Sequence, residues 1–351
     1  MTASVAGEAA ILDWIRTLGS RGPVFFPQKI GRQSLGFQPV RRESVLEFAG
    51  YHPTLAPPGK RLAPAVEVLF QYRSTPDRGL EFSPPPQPPG QILAGVRSCD
   101  LKAIHLMDRV NGAAPGDPLY LARRAGTTLL AVDCLQPCDT ACFCAAVGSL
   151  GWRQGADLFL TPLEEAHYLM EALTPAGATL LAEAGFDPCP DPETHRRRAE
   201  ARRANPFGRH WPVPVTELPT LLDHQWQSPV WSRHVERCFS CGTCNLVCPT
   251  CYCFDVRDDF DLAAPQEGQR QRSPDGCMLP GFAAVAGGHD FRPQPEGRQR
   301  HRVRRKFQYL GARHGGDSFC IGCGRCGRQC TAGIDIFAIV TDLIQHREMA
   351  P

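Results

Sequence analysis

The chain has 351 residues, 42% of them hydrophobic and 21% charged, with a formal net charge of +2. That length suffices for two domains with ordinary cores, and the composition is that of a globular protein. A charge so close to zero gives no bulk electrostatic pull toward nucleic acid or an anionic membrane, so neither is expected as a partner.

The first stretch, MTASVAGEAAILDWIRTLGSRG, has no basic segment ahead of an apolar core and no small-residue cleavage site, so no signal peptide is expected. No apolar run approaches the roughly 20 residues that span a bilayer. The expected location is therefore the cytoplasm. In that reducing setting 17 cysteines point to metal or redox work rather than to disulfides.

Residues 6–18 alternate apolar and polar side chains at helical spacing until Gly19, which predicts a first helix. Short β-like runs follow at Val24–Phe26, Val66–Tyr72, Ile92–Val96, Thr127–Val132 and Leu158–Thr161, with helical patterns at Leu101–Val110 and Glu164–Leu173. Together they predict an α/β domain over 1–185. PPPQPPG at 84–90 favours extended polyproline geometry and reads as a rigid excursion. Residues 186–225 are rich in proline and arginine and read as a linker, with a short basic helix near 194–204. Residues 226–351 hold the dense group of cysteines and form the second domain.

Two motifs carry the chemistry. CFSCGTCNLVCP at 238–249 has the spacing C-x2-C-x2-C-x3-C-P, and CIGCGRCGRQC at 320–330 repeats it without the proline, with Thr331 in its place. Two-residue gaps let a tight loop offer three thiolates to three irons of one cubane, while the fourth cysteine points away. In two-cluster ferredoxins that fourth cysteine ligates the other cluster. Applied here, Cys238, Cys241, Cys244 and Cys330 would hold one [4Fe–4S] cluster, and Cys320, Cys323, Cys326 and Cys248 a second. Gly242, Gly322, Gly324 and Gly327 allow close backbone approach to sulfur. A zinc-binding module is the competing reading of paired C-x2-C, but zinc closes its site with four ligands and gives no reason for a fourth cysteine after three residues, twice. Gly322, Gly324 and Gly327 also match a dinucleotide fingerprint, which is set aside because the intervening positions are candidate ligands. About 70 residues separate the motifs, far more than in a minimal ferredoxin. With apolar residues at 336, 339, 340, 343 and 344 predicting a helix over Ile334–Arg347, the second domain reads as a helical ferredoxin-like 4Fe-4S dicluster domain.

Around the motifs stand CPTCYCFDV at 248–256, CMLPGFAAVAGGHDFR at 277–292 and RQRHRVRRKFQY at 298–309, with GVRSCDLKAI at 95–104 and DCLQPCDTACFC at 133–144. In combination, over residues 92–337, these resemble the iron–sulfur beta subunits of soluble [NiFe] hydrogenases (sulfhydrogenases). They also resemble the related A subunit of anaerobic sulfite reductase. The resemblance implies a cytoplasmic multi-subunit complex. In it the chain would relay electrons between a flavin subunit that meets NAD(P) and the [NiFe] subunits, or else to a sirohaem subunit. The chain has no nickel-binding motif and no flavin fingerprint, so it is expected to be the non-catalytic wire. Cys99, Cys134, Cys142 and Cys144 fall in the family's motifs, and four thiolates from two loops could hold a third [4Fe–4S]. Both loops follow expected strands and could meet at the carboxyl end of one parallel sheet. The other reading is buried free thiols, which behave as small hydrophobes.

Cys138 does not match the family motif and reads as a substitute ligand or a bystander. Cys251 and Cys253 are expected to pack against a cluster, Cys277 is open, and Cys189 reads as inert. Arg298 to Lys306 hold five arginines, a lysine and a histidine. That run would dock an acidic partner, offset cluster charge, or form a solvated basic face. His289 reads as structural.

Overall fold

In the computed structural model, which describes residues 2–32 and 34–349, the expected β-runs become neighbours in one sheet. Its strands are β1 (Ala3–Gly7), β2 (Val24–Lys29), β3 (Leu35–Pro39), β6 (Gln91–Arg97), β7 (Thr127–Val132), β8 (Leu158–Pro162), β9 (His167–Ala172) and β10 (Asp187–Pro188), in the order β10-β1-β9-β8-β7-β6-β2-β3. Four adjacent strands, β8, β7, β6 and β2, run parallel. Parallel strands covered on both faces read as continuous apolar runs. QILAGVR of β6 is such a run, buried at every position. Helix Ser98–Gly112 leaves the carboxyl end of β6, and the loop that begins at Asp133 leaves the adjacent end of β7.

The helix expected over Glu164–Leu173 is instead strand β9. Glu165 and Ala166 take positive φ values of 52° and 55° and turn the chain. Tyr168–Ala172 then lie buried between β8 and β1, each paired antiparallel. The seat between two strands buries five consecutive side chains, and that burial overrides a modest helix propensity.

A second sheet forms from β4 (Glu67–Thr75), β5 (Gly79–Ser83), β11 (Phe254–Phe260) and β12 (Glu267–Pro274), ordered β11-β12-β4-β5 and wholly antiparallel. Strand pairing therefore runs between the two expected domains, with Glu267–Arg272 alongside Glu67–Arg73. Glu67, 5% exposed, binds both Arg123 and Arg272 and fastens the two segments. The interval 186–225 also departs from the linker expectation. It folds into helices Pro192–Ala201 and Leu218–His224, and Leu218, Leu221 and Leu222 join a core with Val303, Phe307 and the last helix. That last helix, Ile336–Met349, buries Ile336, Ile339, Val340, Leu343 and Ile344, the apolar stripe read from the sequence. The core under the large sheet likewise takes in Leu310, Phe319 and Ile321 from the cysteine-rich half.

Candidate metal centres

Each cysteine motif makes the same local turn. Gly242 and Gly324 stand in the left-handed region at φ 73° and 70°, directly before the short helices Thr243–Leu246 and Arg325–Arg328. An added Cβ would lie 2.8 Å from Leu279 at the first position and 2.6 Å from the Ala141 carbonyl at the second, so glycine is required at both. The turn sets three cysteines of a motif around one hollow. Cys238, Cys241 and Cys244 line the first, and the wall is completed by Cys330 from the second motif. Cys320, Cys323 and Cys326 line the second, completed by Cys248 from the first motif. Cys241 is the exposed member of these eight, and Cys323 is buried.

The charge around these hollows fits an anionic group. Arg302, 3% exposed, borders both cavities, and Lys306, 2% exposed, borders the second. Burial works against the charge of Arg302, but the sulfurs of Cys244, Cys326, Cys248 and Cys251 outweigh it and hold its pKa well above the ordinary arginine value. Lys306 donates to the Thr250 carbonyl at 2.9 Å and its hydroxyl at 2.8 Å. Buried cations need anions nearby, and soft thiolates suit iron–sulfur clusters. The run Arg298–Lys306 is thus no solvated face: Arg298, Arg302, Arg304 and Lys306 are all buried. Two consecutive helical segments carry it, Pro295–Arg304 and a π-helical turn over Arg305–Tyr309, a distortion common at functional sites.

The N-terminal cysteines converge as the topology of β6 and β7 requires. Cys142 and Cys144 are buried with Phe207, and Cys99, Cys134 and Cys138 pack against them. Five thiols therefore meet where a cubane needs four, and Cys138 belongs to the group. The Cys138 and Cys144 thiols hydrogen-bond to Cys142, holding its pKa down to about 3 and their own up. Burial first, then neighbouring Asp100 and Cys323, push the Cys99 thiol well up. Cations stand here too: Arg97 donates to the Asp133 carbonyl at 3.2 Å, and Arg203 pairs with the Asp133 carboxylate at 2.6 Å. Neither arginine was singled out in the sequence, where each is one basic residue among many.

This third group abuts the second cavity. Phe143 lines that cavity and its N–H donates to the Gly322 carbonyl at 2.8 Å. Asp100, next to Cys99, accepts two hydrogen bonds from Arg325, next to Cys326, at 2.6 and 2.7 Å; both side chains are 1% exposed. Gly322 has φ +70°, and a Cβ there would sit 2.5 Å from the Phe143 carbonyl group and 2.6 Å from Cys144 Cα. Gly322→Ala should therefore cost about 1–3 kcal/mol from backbone conformation alone and more from the clash. Thermal unfolding of the variant checks this, and iron retention should fall first at the N-terminal group.

Of the remaining thiols, Cys251 hydrogen-bonds to Cys248, and Asn245 donates to Cys251 at 3.7 Å and to buried Cys277 at 3.5 Å. Cys253 lines a separate hollow of about 90 Å³ beside Cys251, Lys60 and Arg272. Cys189 follows β10, its N–H bound to the Ala3 carbonyl and away from every cavity described above. His289 stacks edge-on against Phe291. All 17 cysteines are unpaired. Among the described residues no three His, Cys, Asp or Glu side chains crowd one point closely enough for a single ion. A cubane asks for no such crowding, since each thiolate binds a different iron.

Residues 237–334, which carry both cysteine motifs and the two hollows they wall, match the 4Fe-4S dicluster domain family, a class of iron–sulfur protein. The whole chain is 30% identical over 335 residues to the sulfhydrogenase 2 subunit beta of Pyrococcus furiosus, covering 91% of this chain and 96% of the relative. It belongs to the sulfhydrogenase beta-subunit family. No solved structure matches it. No helix among the described residues is long and apolar enough to cross a membrane.

Proposed function

We propose that the chain is the electron-transfer subunit of a cytoplasmic multi-subunit [NiFe] hydrogenase of the sulfhydrogenase type. Cys238, Cys241, Cys244 and Cys330 hold one [4Fe–4S] cluster, and Cys320, Cys323, Cys326 and Cys248 hold a second. Cys99, Cys134, Cys142 and Cys144 hold a third, with Cys138 as a spare thiol. Bound clusters supply one-electron transfer, with potentials set by charge, hydrogen bonds and exposure. The observation that carries this reading is the exchange of fourth cysteines between the two cavities, which two-cluster ferredoxins share and zinc ribbons have no use for.

The protein's part is to hold three centres in series. The ion pair between Asp100 and Arg325 and the bond from Phe143 to Gly322 keep the N-terminal group against the second cavity. Arg302 lies between the second cavity and the first. Exposed Cys241, beside Phe239 at 72% exposure, puts the first cavity at the surface. The partners in this reading are a flavin subunit that meets NAD(P) and the [NiFe] subunits. A sirohaem sulfite-reductase partner is less favoured, because the relative found is a sulfhydrogenase subunit. The cysteine-rich half is read as a helical ferredoxin-like module, since each motif runs into a short helix and Ile336–Met349 closes it.

Cys99→Ser combined with Cys138→Ser, which removes the spare thiol as well, tests the third centre. The variant should lose about four irons per chain and keep the other eight or so. Iron content equal to that of the native chain would sink the N-terminal assignment and leave the C-terminal pair standing.

A further inference from the structure

One basic side chain differs from the others in its run. Arg298 gives its guanidinium to the carbonyls of Arg292 and Pro293 and to the Ser240 hydroxyl. Arg300 pairs with Glu296, and Arg304 with Asp223 and the Tyr309 hydroxyl. Arg305 lies over the Tyr252 ring, 4.7 Å from its centroid. Arg302 alone among the five has no hydrogen bond, carboxylate or aromatic ring to hold its guanidinium among the described residues, and its buried Nε has no partner. It nonetheless sits 3% exposed at the border of both cavities. The sulfurs that face it come from both: Cys244 from the first, Cys326 and Cys248 from the second. Lys306, four residues on, faces Cys248 and Cys251 and borders the second cavity but not the first.

A buried, unpaired guanidinium is costly unless an anion shares its site. Every candidate anion here is a cysteine sulfur or what the sulfurs hold. We propose that Arg302 is a counter-ion shared by the two C-terminal clusters, raising the reduction potential of both, while Lys306 acts on the second alone. This rests on the cluster assignment above. One electron from a low-potential donor adds one negative charge at a cluster. A fixed cation bordering both cavities eases that addition at either. Arg302 is thus a tuning residue, set beside the ligands rather than at any substrate.

The test is a dithionite redox titration of the full chain, purified anaerobically and followed by EPR, for the native protein, Arg302→Gln, Arg302→Lys and Lys306→Gln. Iron and sulfide are measured on each sample. Arg302→Gln should make both C-terminal clusters at least tenfold harder to reduce, about 59 mV for one electron. Arg302→Lys should stay within that margin of the native chain, and Lys306→Gln should move only the cluster that Cys248→Ser abolishes. Unchanged potentials in Arg302→Gln with iron intact would overturn the proposal, as would a shift confined to one cluster. If Arg302→Gln fails to hold its irons, retention in Arg302→Lys becomes the reading. Both clusters retained there supports a requirement for charge, and loss of either overturns it. A native chain without iron or sulfide would instead refute the cluster assignment itself.

Discussion

Cys248→Ser should abolish the same EPR signal as Cys320→Ser, Cys323→Ser or Cys326→Ser, although Cys248 belongs to the other motif in sequence. Cys330→Ser should in turn match Cys238→Ser, Cys241→Ser and Cys244→Ser. The expectation follows from the walls of the two cavities, each with three cysteines of one motif and one of the other. The three-residue gap before each last cysteine carries it past its short helix and away from its own loop. Each such variant should lose about four irons and leave the second C-terminal signal in place. Pairing by motif, with Cys248→Ser silencing the signal that Cys241→Ser silences, would show the crossing to be wrong. Cys330 is the informative member, because Thr331 stands where the first motif has Pro249.

Asp100→Ala should destabilise the chain by about 3–5 kcal/mol, the usual cost of removing one partner from a buried ion pair. Arg325 would be left with its charge at 1% exposure, held only by the carbonyl and hydroxyl of Thr54 at 2.7 and 3.2 Å. Most of that loss comes from the stranded guanidinium rather than from the pair's own worth. The double variant Asp100→Ala/Arg325→Met should therefore recover a large part of it. Denaturant unfolding of the three variants measures this, and a double variant no more stable than Asp100→Ala would contradict it. Because Asp100 follows Cys99 and Arg325 precedes Cys326, Asp100→Ala should also loosen the N-terminal centre.

What the sequence made legible was local. The eight C-terminal cysteines announce themselves by spacing. The strands β6, β7 and β8 show as apolar runs, and the stripe on Ile336–Met349 shows as helical periodicity. All of these are signals within a dozen residues. What it hid was set at long range. Residues 254–260 are exposed along their whole length, with no buried alternation to mark a strand, and become one only because β12 pairs on to β4. The helical look of residues 164–173 yields to the slot between β8 and β1. Residues 218–224 show too little periodicity to stand out, yet the core around Val303 and Phe307 makes them a helix. The candidate site divides the same way. Cys138, which the sequence left as either a substitute ligand or a bystander, joins the N-terminal group through packing. Arg302 is distinguished from four neighbouring arginines only by what surrounds it in space.

The measurement that bears most directly on the whole account is metal and sulfide analysis of the full chain purified without oxygen, joined to EPR after reduction. The account predicts about twelve irons, as many acid-labile sulfides, almost no zinc and signals from reduced [4Fe–4S] centres. A colourless protein with stoichiometric zinc and no sulfide would contradict it.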